Sequence, residues 1–311
     1  MNKTLTATVA AMALLSTAAV AETRVTYKSA KSTSSYYAMA VQLSEAVKDR
    51  VDVTVEESQG SVQNVKEATR RSGNYVFTSP PVLIKLAKGG KKMFEGETGY
   101  DAIRSLFPIP SLTMHWVVRQ DSGVTSFAEL TGKKFIPGGK GSFGQRKTIS
   151  TFEALGIASK VDLVDVELNA AVPALKNNQV AGFATAGSYP APNVTEAAAS
   201  VPVRLLSLSG ADLEKVKGDK LVIPAGTYKG VDQDVTTISL PVIAYTTDKM
   251  DDEAAYQLTK TYWEGKGTMA KVNPWWGGVT PAMLANLGAP VHPGAARYYA
   301  EAGMEVPKAF R

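Results

Sequence analysis

Hydrophobic and polar positions alternate with two different periods in the first third of the chain. Residues 24–28 and 51–56 alternate at every second position, which predicts strands, and residues 74–78 predict a third. Residues 36–49 and 62–71 repeat apolar side chains at helical spacing instead. Small polar loops lead from the strands into the helices, so we expect an α/β sheet. Ligands bind such sheets at the carboxyl ends of the strands, where those loops lie.

The same pattern returns later in the chain and predicts a second α/β lobe. Strands are predicted at residues 133–136, 162–168 and 180–185, with helices between them. The small polar loops of both lobes then meet at one edge, which favours a ligand cleft between the lobes.

Two long extended segments, near residues 108–118 and 235–246, fit a chain that crosses twice between the lobes and forms a hinge. The last part of the chain predicts helices at residues 253–265 and 281–287 that return to the first lobe. We therefore assign residues 22–112 plus 247–311 to lobe 1 and residues 113–246 to lobe 2.

A glycine-rich loop at residues 137–144 lies between a predicted strand and a predicted helix at residues 145–155. Ser142 stands at the N-cap position, and Gln145 three residues later completes a capping-box pattern. The free N–H groups and positive dipole of a helix N-terminus can hold an anion.

The glycine spacing of this loop resembles that of several functional loops. The spacing of Gly139, Gly141 and Gly144 matches the dinucleotide-binding fingerprint, but that unit normally opens a domain and this one lies in mid-chain. The elbow of a serine hydrolase requires glycine two residues before the serine, and Lys140 precedes Ser142 there. An anion-binding loop and a loop with purely structural glycines both remain open from these residues.

The N-terminus predicts export. Lys3, the apolar run from Leu5 to Leu15 and the Ala19–Ala21 site form a signal peptide over residues 1–21, with cleavage after Ala21 and a periplasmic mature protein. The sequence has no cysteine, so disulfides and thiol catalysis are excluded. The net charge of +5 is scattered rather than clustered, which argues against nucleic-acid binding.

Candidate catalytic groups are few. His115 lies inside an apolar strand, a position more typical of a packed core residue than of a base. The hydroxyl-rich loops of the first lobe contain no Asp, Glu or His for acid–base chemistry. We therefore predict a binding protein without enzymatic activity, cofactor or metal.

Several segments in register resemble the TAXI family of TRAP-transporter substrate-binding proteins. These segments are Ser61–Asn64, Val117–Lys133, the Gly141–Ser142 loop, Ala184–Ala198, Ile223–Val235 and His292–Gly303. The resemblance implies a two-lobed periplasmic-binding-protein-like α/β fold (type II-like), and a monomer that passes a small ligand to an ion-gradient-driven membrane permease. Family members are associated with glutamate, glutamine, dicarboxylates and oxo-acids.

The resemblance also implies ligand-facing positions by register. They are Ser32, Ser34, Ser35, Tyr36, Ser61, Thr78, Ser79, Ser142, Phe143, Gln145, Thr185 and Ala186.

The chain departs from the family pattern in the loops 30–35 and 77–81, which lack the usual glycines and an acid. Gln145 stands where an acid is common, and Lys31 is gained. These changes predict a more positive cleft and an anionic ligand, a carboxylate such as a dicarboxylate, an oxo-acid or an acidic amino acid. The alternative is a periplasmic hydrolase that uses Ser142 with His115 or His292.

Overall fold

One continuous mixed β-sheet organises residues 23–311, the part of the chain that the computed structural model describes. The predicted signal peptide and its cleavage site lie outside the described residues. The strand order is β2-β1-β3-β10-β4-β7-β5-β6, with β8 paired to β4 and β9 paired to β10. The strands are β1 (Thr23–Lys28), β2 (Val51–Glu56), β3 (Tyr75–Ser79), β4 (Ile103–Arg119), β5 (Lys134–Ile136), β6 (Asp162–Leu163), β7 (Gly182–Gly187), β8 (Val203–Leu205), β9 (Asp219–Ile223) and β10 (Val235–Thr247).

Helices cover the faces of this sheet. The first half of the sheet, β2-β1-β3, is parallel and alternates with α1 to α3 along the chain, while the second half, β7-β5-β6, is parallel and alternates with α4 to α6. The α-helices in the described part are α1 (Ser35–Val47), α2 (Ser61–Ala68), α3 (Pro81–Lys88), α4 (Phe143–Ala154), α5 (Ala171–Lys176), α6 (Pro192–Ser200), α7 (Gly210–Lys215), α8 (Asp252–Val272) and α9 (Pro293–Glu301). The predicted two-lobed α/β fold is confirmed.

Strands β4 and β10 join the two halves. β4 pairs with β10 along its first part and with β7 along its second part. β10 pairs with β9 over residues 235–239 and with β3 over residues 243–245. The prediction of two extended segments that cross between the halves agrees with this arrangement, whereas the proposed lobe boundaries remain a prediction.

β4 runs through Pro108 and Pro110 without interruption. Proline lacks the N–H that a ladder needs, and sheets tolerate it where the pairing is irregular. The register between β4 and β10 shifts between Leu240 and Val242, the step that contains Pro241. Prolines on both strands therefore coincide with a local irregularity instead of ending the strands.

Several predicted boundaries need correction. The strand expected at 162–168 is confined to Asp162–Leu163, and the helix expected at 281–287 is a 3₁₀ helix over Pro281–Asn286. Pro192 occupies the first turn of α6, which Ala191 precedes, and the Asn193 amide donates to Thr185 Oγ1 at 3.0 Å.

Two hydrophobic clusters stabilise the fold. The larger one packs α1, α3, α8 and α9 against the sheet and extends into the second half through Phe135 and Phe152. The smaller one lies in the second half and includes Ile136, Leu175 and Phe183. Each fully buried side chain of this kind contributes about 1.5–3 kcal/mol of transfer free energy. Within residues 23–311, none of the helices has both the length and the apolar character needed to span a bilayer.

Candidate functional site

Three helix N-termini meet at one cavity between the two halves of the sheet. The N-cap residues of α1, α2 and α4 are Ser34, Gly60 and Ser142, and all three line the same cavity of about 50 Å³. Each helix places the positive end of its dipole there. Seven of the predicted ligand-facing residues line this cavity: Ser34, Tyr36, Ser61, Ser142, Phe143, Thr185 and Ala186.

The caps of these helices are built differently. Ser34 Oγ accepts the Tyr36 N–H at 3.2 Å, and Ser142 Oγ accepts the Gln145 N–H at 3.1 Å. Gly60 has a φ of 105°, which favours glycine, and it offers no side chain to the first turn of α2. The N-terminal N–H groups of α2 are therefore not capped by a side chain.

The glycine-rich loop needs its glycines for close approach. A Cβ on Gly138, whose φ is 136°, would lie 2.6 Å from the backbone nitrogen of Gln145. A Cβ on Gly144 would lie 2.9 Å from the Cβ of Ala186. The loop therefore folds against the start of its own helix and against β7. This contact carries Ser142 and Phe143 into the cavity wall.

The predicted capping box at α4 is only half formed. The Ser142 side chain caps the helix as expected, but the Gln145 side chain accepts the N–H of Gly141 at 2.7 Å. The Ser142 N–H donates to the Gly139 carbonyl instead, at 3.0 Å. The Gln145 amide also donates to Asp165 at 2.7 Å, so this side chain fixes the loop.

The cavity presents hydrogen-bond donors that the protein does not use. Within residues 23–311, the hydroxyls of Ser34, Ser61, Ser142 and Thr185 donate no hydrogen bond to a protein acceptor. The backbone N–H groups of Ser61, Phe143 and Gly144 are likewise without an acceptor in this range. The lining residues include no carboxylate. A ligand in this cavity therefore meets mainly donors.

Charge at the rim is more balanced than the sequence suggested. Lys31 lines the cavity, but its Nζ lies 3.7 Å from the carboxylate of Glu167 in the second half. Lys140 lies 3.3 Å from Asp165. The Gln59 side chain bridges Lys31 and Glu167. With its amide oriented to satisfy both ends, its NH₂ group donates to Glu167 and its oxygen accepts from Lys31 Nζ at 3.2 Å. Acids from the second half thus compensate the lysines.

Five predicted site residues lie outside the cavity lining. Ser32 is exposed, and its N–H donates to the Glu57 carboxylate at 2.8 Å, which lowers the pKa of Glu57. Ser35 is buried, and its hydroxyl oxygen accepts the Ser188 N–H at 3.0 Å. Gln145 also lies outside the lining, and its side chain fixes the glycine-rich loop through Gly141 and Asp165.

Thr78 and Ser79 are buried beneath the cavity loops with tyrosine partners. Thr78 Oγ1 donates to the Tyr27 hydroxyl at 2.9 Å, and Ser79 Oγ lies 3.0 Å from the Tyr245 hydroxyl. Burial raises the pKa of both tyrosines far above the usual range. Ligand contact by these five residues stays a prediction.

Residues 28–303 match the family described as the NMT1-like family. The chain belongs to the NMT1-like family.

Solved structures with the same fold are remote in sequence from this NMT1-like protein. The periplasmic binding protein BugD is 14% identical, with a TM-score of 0.55 over 91% of this chain and 99% of BugD. MatC from Rhodopseudomonas palustris, solved with bound malate, is 10% identical, with a TM-score of 0.56 over 90% of this chain and 97% of MatC. At these identities the likeness shows the periplasmic-binding-protein-like fold.

Both histidines of the NMT1-like chain are occupied elsewhere. His115 lies 3.1 Å from the Thr113 carbonyl through Nδ1 and 2.8 Å from the Tyr228 hydroxyl through Nε2. Since the Thr113 carbonyl only accepts, Nδ1 carries the ring proton and Nε2 accepts the Tyr228 O–H, while the Tyr228 oxygen accepts the Ala191 N–H at 2.8 Å. Burial lowers the pKa of His115 to about 4. It is therefore a neutral structural side chain.

His292 caps α9. Its Nδ1 accepts the Gly294 N–H at 3.2 Å, and its Nε2 lies 3.1 Å from the Met250 carbonyl. Burial lowers the pKa of His292 as well. Pro293 begins the helix and Arg297 pairs with Glu253 at 2.7 Å, so this segment has a structural role. The cavity lining contains neither histidine, so Ser142 has no histidine base in the cavity wall.

Some lining residues were missed by sequence reasoning. Leu112 reaches the cavity from β4, and Leu168 reaches it from the segment after β6. Neither carries a polar signal, and each looks like an ordinary core residue in the sequence. The other lining residues outside the predicted ligand-facing set are Ala30, Lys31, Gln59, Gly60, Gly138, Gly139 and Gly144.

Proposed function

We propose that this protein is the periplasmic solute-binding subunit of a TRAP transporter of the TAXI type, and that it captures a small carboxylate in the cavity between its halves. The observation that carries the proposal is the convergence of α1, α2 and α4 on one cavity whose lining offers unused donors and no carboxylate. Family membership and fold support the same role.

Electrostatics favours an anion in this cavity. A helix N-terminus stabilises a nearby negative charge by about 0.3–1 kcal/mol at the surface and up to ~2 kcal/mol in partly buried sites. Three such ends, with the hydroxyls of Ser61 and Ser142, can satisfy both oxygens of a carboxylate. The malate bound to MatC is itself a carboxylate, which supports this ligand class by analogy.

Capture and release need the halves to separate. The cavity walls come from both halves, with Ser34 and Ser61 on one side and Ser142 and Thr185 on the other. We propose that lobe 1, residues 22–112 plus 247–311, and lobe 2, residues 113–246, close around the ligand. The crossings near residues 108–118 and 235–246 act as the hinge.

The proposed location of the protein is the periplasm, which it reaches by export. Removal of residues 1–21 after Ala21 places a monomer in the periplasm, where it delivers its ligand to the membrane permease. The protein binds no nucleic acid in this proposal. Size-exclusion chromatography with light scattering checks the monomer, and N-terminal sequencing of the exported protein checks the cleavage site.

Mass spectrometry of the small molecule that co-purifies with the protein, followed by calorimetry with that compound, tests the function. We expect a carboxylate whose binding is weakened at least about tenfold in Ser142→Ala, because that variant removes a charge-assisted donor. Ser126→Ala removes the exposed capping serine of the 3₁₀ helix at Phe127–Leu130, which does not line the cavity, and is the matched control. Tight binding of a cationic or neutral compound, with no competition by carboxylates, would overturn the proposal.

A further inference from the structure

The hydrogen-bonding groups that line the cavity suit one carboxylate and offer no partner for an ammonium group. An ammonium ion buried without a carboxylate or free carbonyl partner loses its hydration at a large cost. The lining has no Asp or Glu, and the carbonyls of Ala30 and Gly139 already accept the N–H groups of Ser58 and Ser142. An amino acid would therefore leave its ammonium group poorly satisfied.

A second carboxylate has no independent partner either. Lys31 is the only cationic residue among the lining residues of the described chain, and Glu167 neutralises it at 3.7 Å. Arginine, the usual partner for bidentate carboxylate recognition, does not occur in the lining. A dicarboxylate would have to separate Lys31 from Glu167, which is the ion pair that joins the two halves at this rim.

Apolar side chains limit the ligand further. The cavity has a volume of about 50 Å³, which suits a small molecule. Leu168 lines one part of the wall and packs closely against Gly139, where an added Cβ would lie 2.9 Å from the Leu168 Cβ. Leu112 and the ring of Tyr36 supply further apolar surface.

We infer that the ligand is a short monocarboxylate without an ammonium group, and that Leu168 limits the length of its tail. This inference rests on the proposed function and narrows it. The carboxylate takes the free N–H and O–H donors, and the short tail contacts Leu112 and Leu168. The three-carbon 2-oxo and 2-hydroxy acids fit the same description, since their extra oxygen can use one of the remaining hydroxyls.

Calorimetry of the mature protein, freed of bound ligand by refolding from denaturant, tests the ligand class. The probes are acetate, propionate, pyruvate and butyrate against succinate, glutamate and alanine. We expect the best short monocarboxylate to bind at least about tenfold more tightly than succinate, glutamate or alanine. If succinate or glutamate binds more tightly, the inference is overturned while the receptor function stands. If every carboxylate fails and a neutral co-purified compound binds, both are overturned.

Leu168→Ala tests the length limit. We expect the ratio of hexanoate affinity to propionate affinity to rise at least about tenfold, because the truncation opens space beside Gly139. Leu163→Ala, at a half-buried leucine of the same half outside the cavity, should leave that ratio unchanged. Leu168→Met conserves the side-chain volume and should keep the preference for propionate over hexanoate. An unchanged ratio in a folded Leu168→Ala protein would overturn the role of Leu168.

Discussion

Two neighbouring serines show how differently the same residue type is used in this fold. Ser34 lines the cavity and keeps a hydroxyl proton without a protein acceptor, whereas Ser35 is 1% exposed and accepts the Ser188 N–H. A Cβ on Gly187 would lie 2.5 Å from Ser35 Oγ, so this serine sits tightly against β7. One hydroxyl is therefore available to a ligand, and its neighbour fastens the two halves together.

The same contrast separates two larger regions. The cavity wall holds donors without partners, and the interior beneath it holds Thr78, Ser79 and His115 with their hydrogen bonds made. Unused buried donors are costly to a protein that has no ligand, whereas satisfied ones contribute to stability. We expect changes in the wall to alter binding and changes in the interior to alter folding, and four experiments test that division.

The largest effect is expected at the glycine loop. Gly138→Ala would place a Cβ 2.6 Å from the Gln145 backbone at a φ of 136°, so the loop must move and carry Ser142 away. We expect a loss of about 3 kcal/mol or more in unfolding free energy and loss of ligand binding. Gly141→Ala is the matched control, because its φ is 69° and its Cβ would meet nothing within 4 Å. That variant should cost only about 1–2 kcal/mol. Equal effects of the two substitutions in denaturant titrations would contradict this explanation.

Lowering the pH should reduce the unfolding free energy through His115. Its pKa falls from 6.5 to about 4 on folding because burial disfavours the charged ring. The unfolded chain therefore binds more protons between these values, and stability is complete above pH 6.5 and declines as the pH falls to 4. We expect this residue to account for about 3 kcal/mol of that decline.

His115→Gln checks this contribution, since glutamine can both donate and accept but does not titrate. Unfolding free energies measured between pH 7 and pH 4 should depend less steeply on pH in the variant. His292, whose pKa is also lowered by burial, should retain its own share of the dependence. An identical slope in the variant and the parent protein would show that His115 does not titrate as proposed.

A pair of serine substitutions compares wall and interior directly. Ser61 Oγ makes no hydrogen bond within the described chain, so Ser61→Ala should leave the melting temperature nearly unchanged and weaken ligand binding about tenfold. Ser79→Ala should do the reverse, with a loss of about 1–2 kcal/mol in stability, because it leaves the Tyr245 hydroxyl without its partner. Calorimetry and thermal unfolding measure the two effects. If Ser79→Ala weakened binding more than Ser61→Ala, the division would be wrong.

The smallest effect is expected at the rim. Glu167→Gln removes the partner of Lys31, and such partly exposed ion pairs contribute about 0–1 kcal/mol. We expect faster ligand release, with a difference that diminishes at high salt. Glu305→Gln, in an exposed pair with Arg311 away from the cavity, is the control for charge removal. Stopped-flow release rates that respond equally to both substitutions would argue against a rim contribution.

Much of the fold was predictable because its strands and helices carry strong periodic patterns. β2 was predicted to the residue, and the Ser142 cap of α4 followed from local sequence alone. The path of β4 through Pro108 was not predictable, because proline signals a break unless the partner strand is known. The pairing with β10 is a contact between distant segments that the local pattern does not contain.

The loops that form the candidate site were predictable from the sequence, but the side chains that line it were only partly so. The loops identified it, but Ser34 and Ser35 are indistinguishable until the direction of α1 relative to β7 is fixed. Leu112 and Leu168 read as core residues because an apolar side chain carries no sign of whether protein or ligand will cover it. The compensation of Lys31 by Glu167 depends on how the two halves meet, which residue composition does not encode.

The shared strands give the molecule one further property. Because the sheet is continuous, any rocking of the halves must bend β4 and β10, and their irregular pairing at Pro241 is the natural place for flexure. Leu112 stands directly across from Leu240 in that region and also forms part of the cavity wall. In the proposed receptor, a ligand that contacts Leu112 would therefore act directly on the bending region, so that binding and the relative position of the two halves would be coupled.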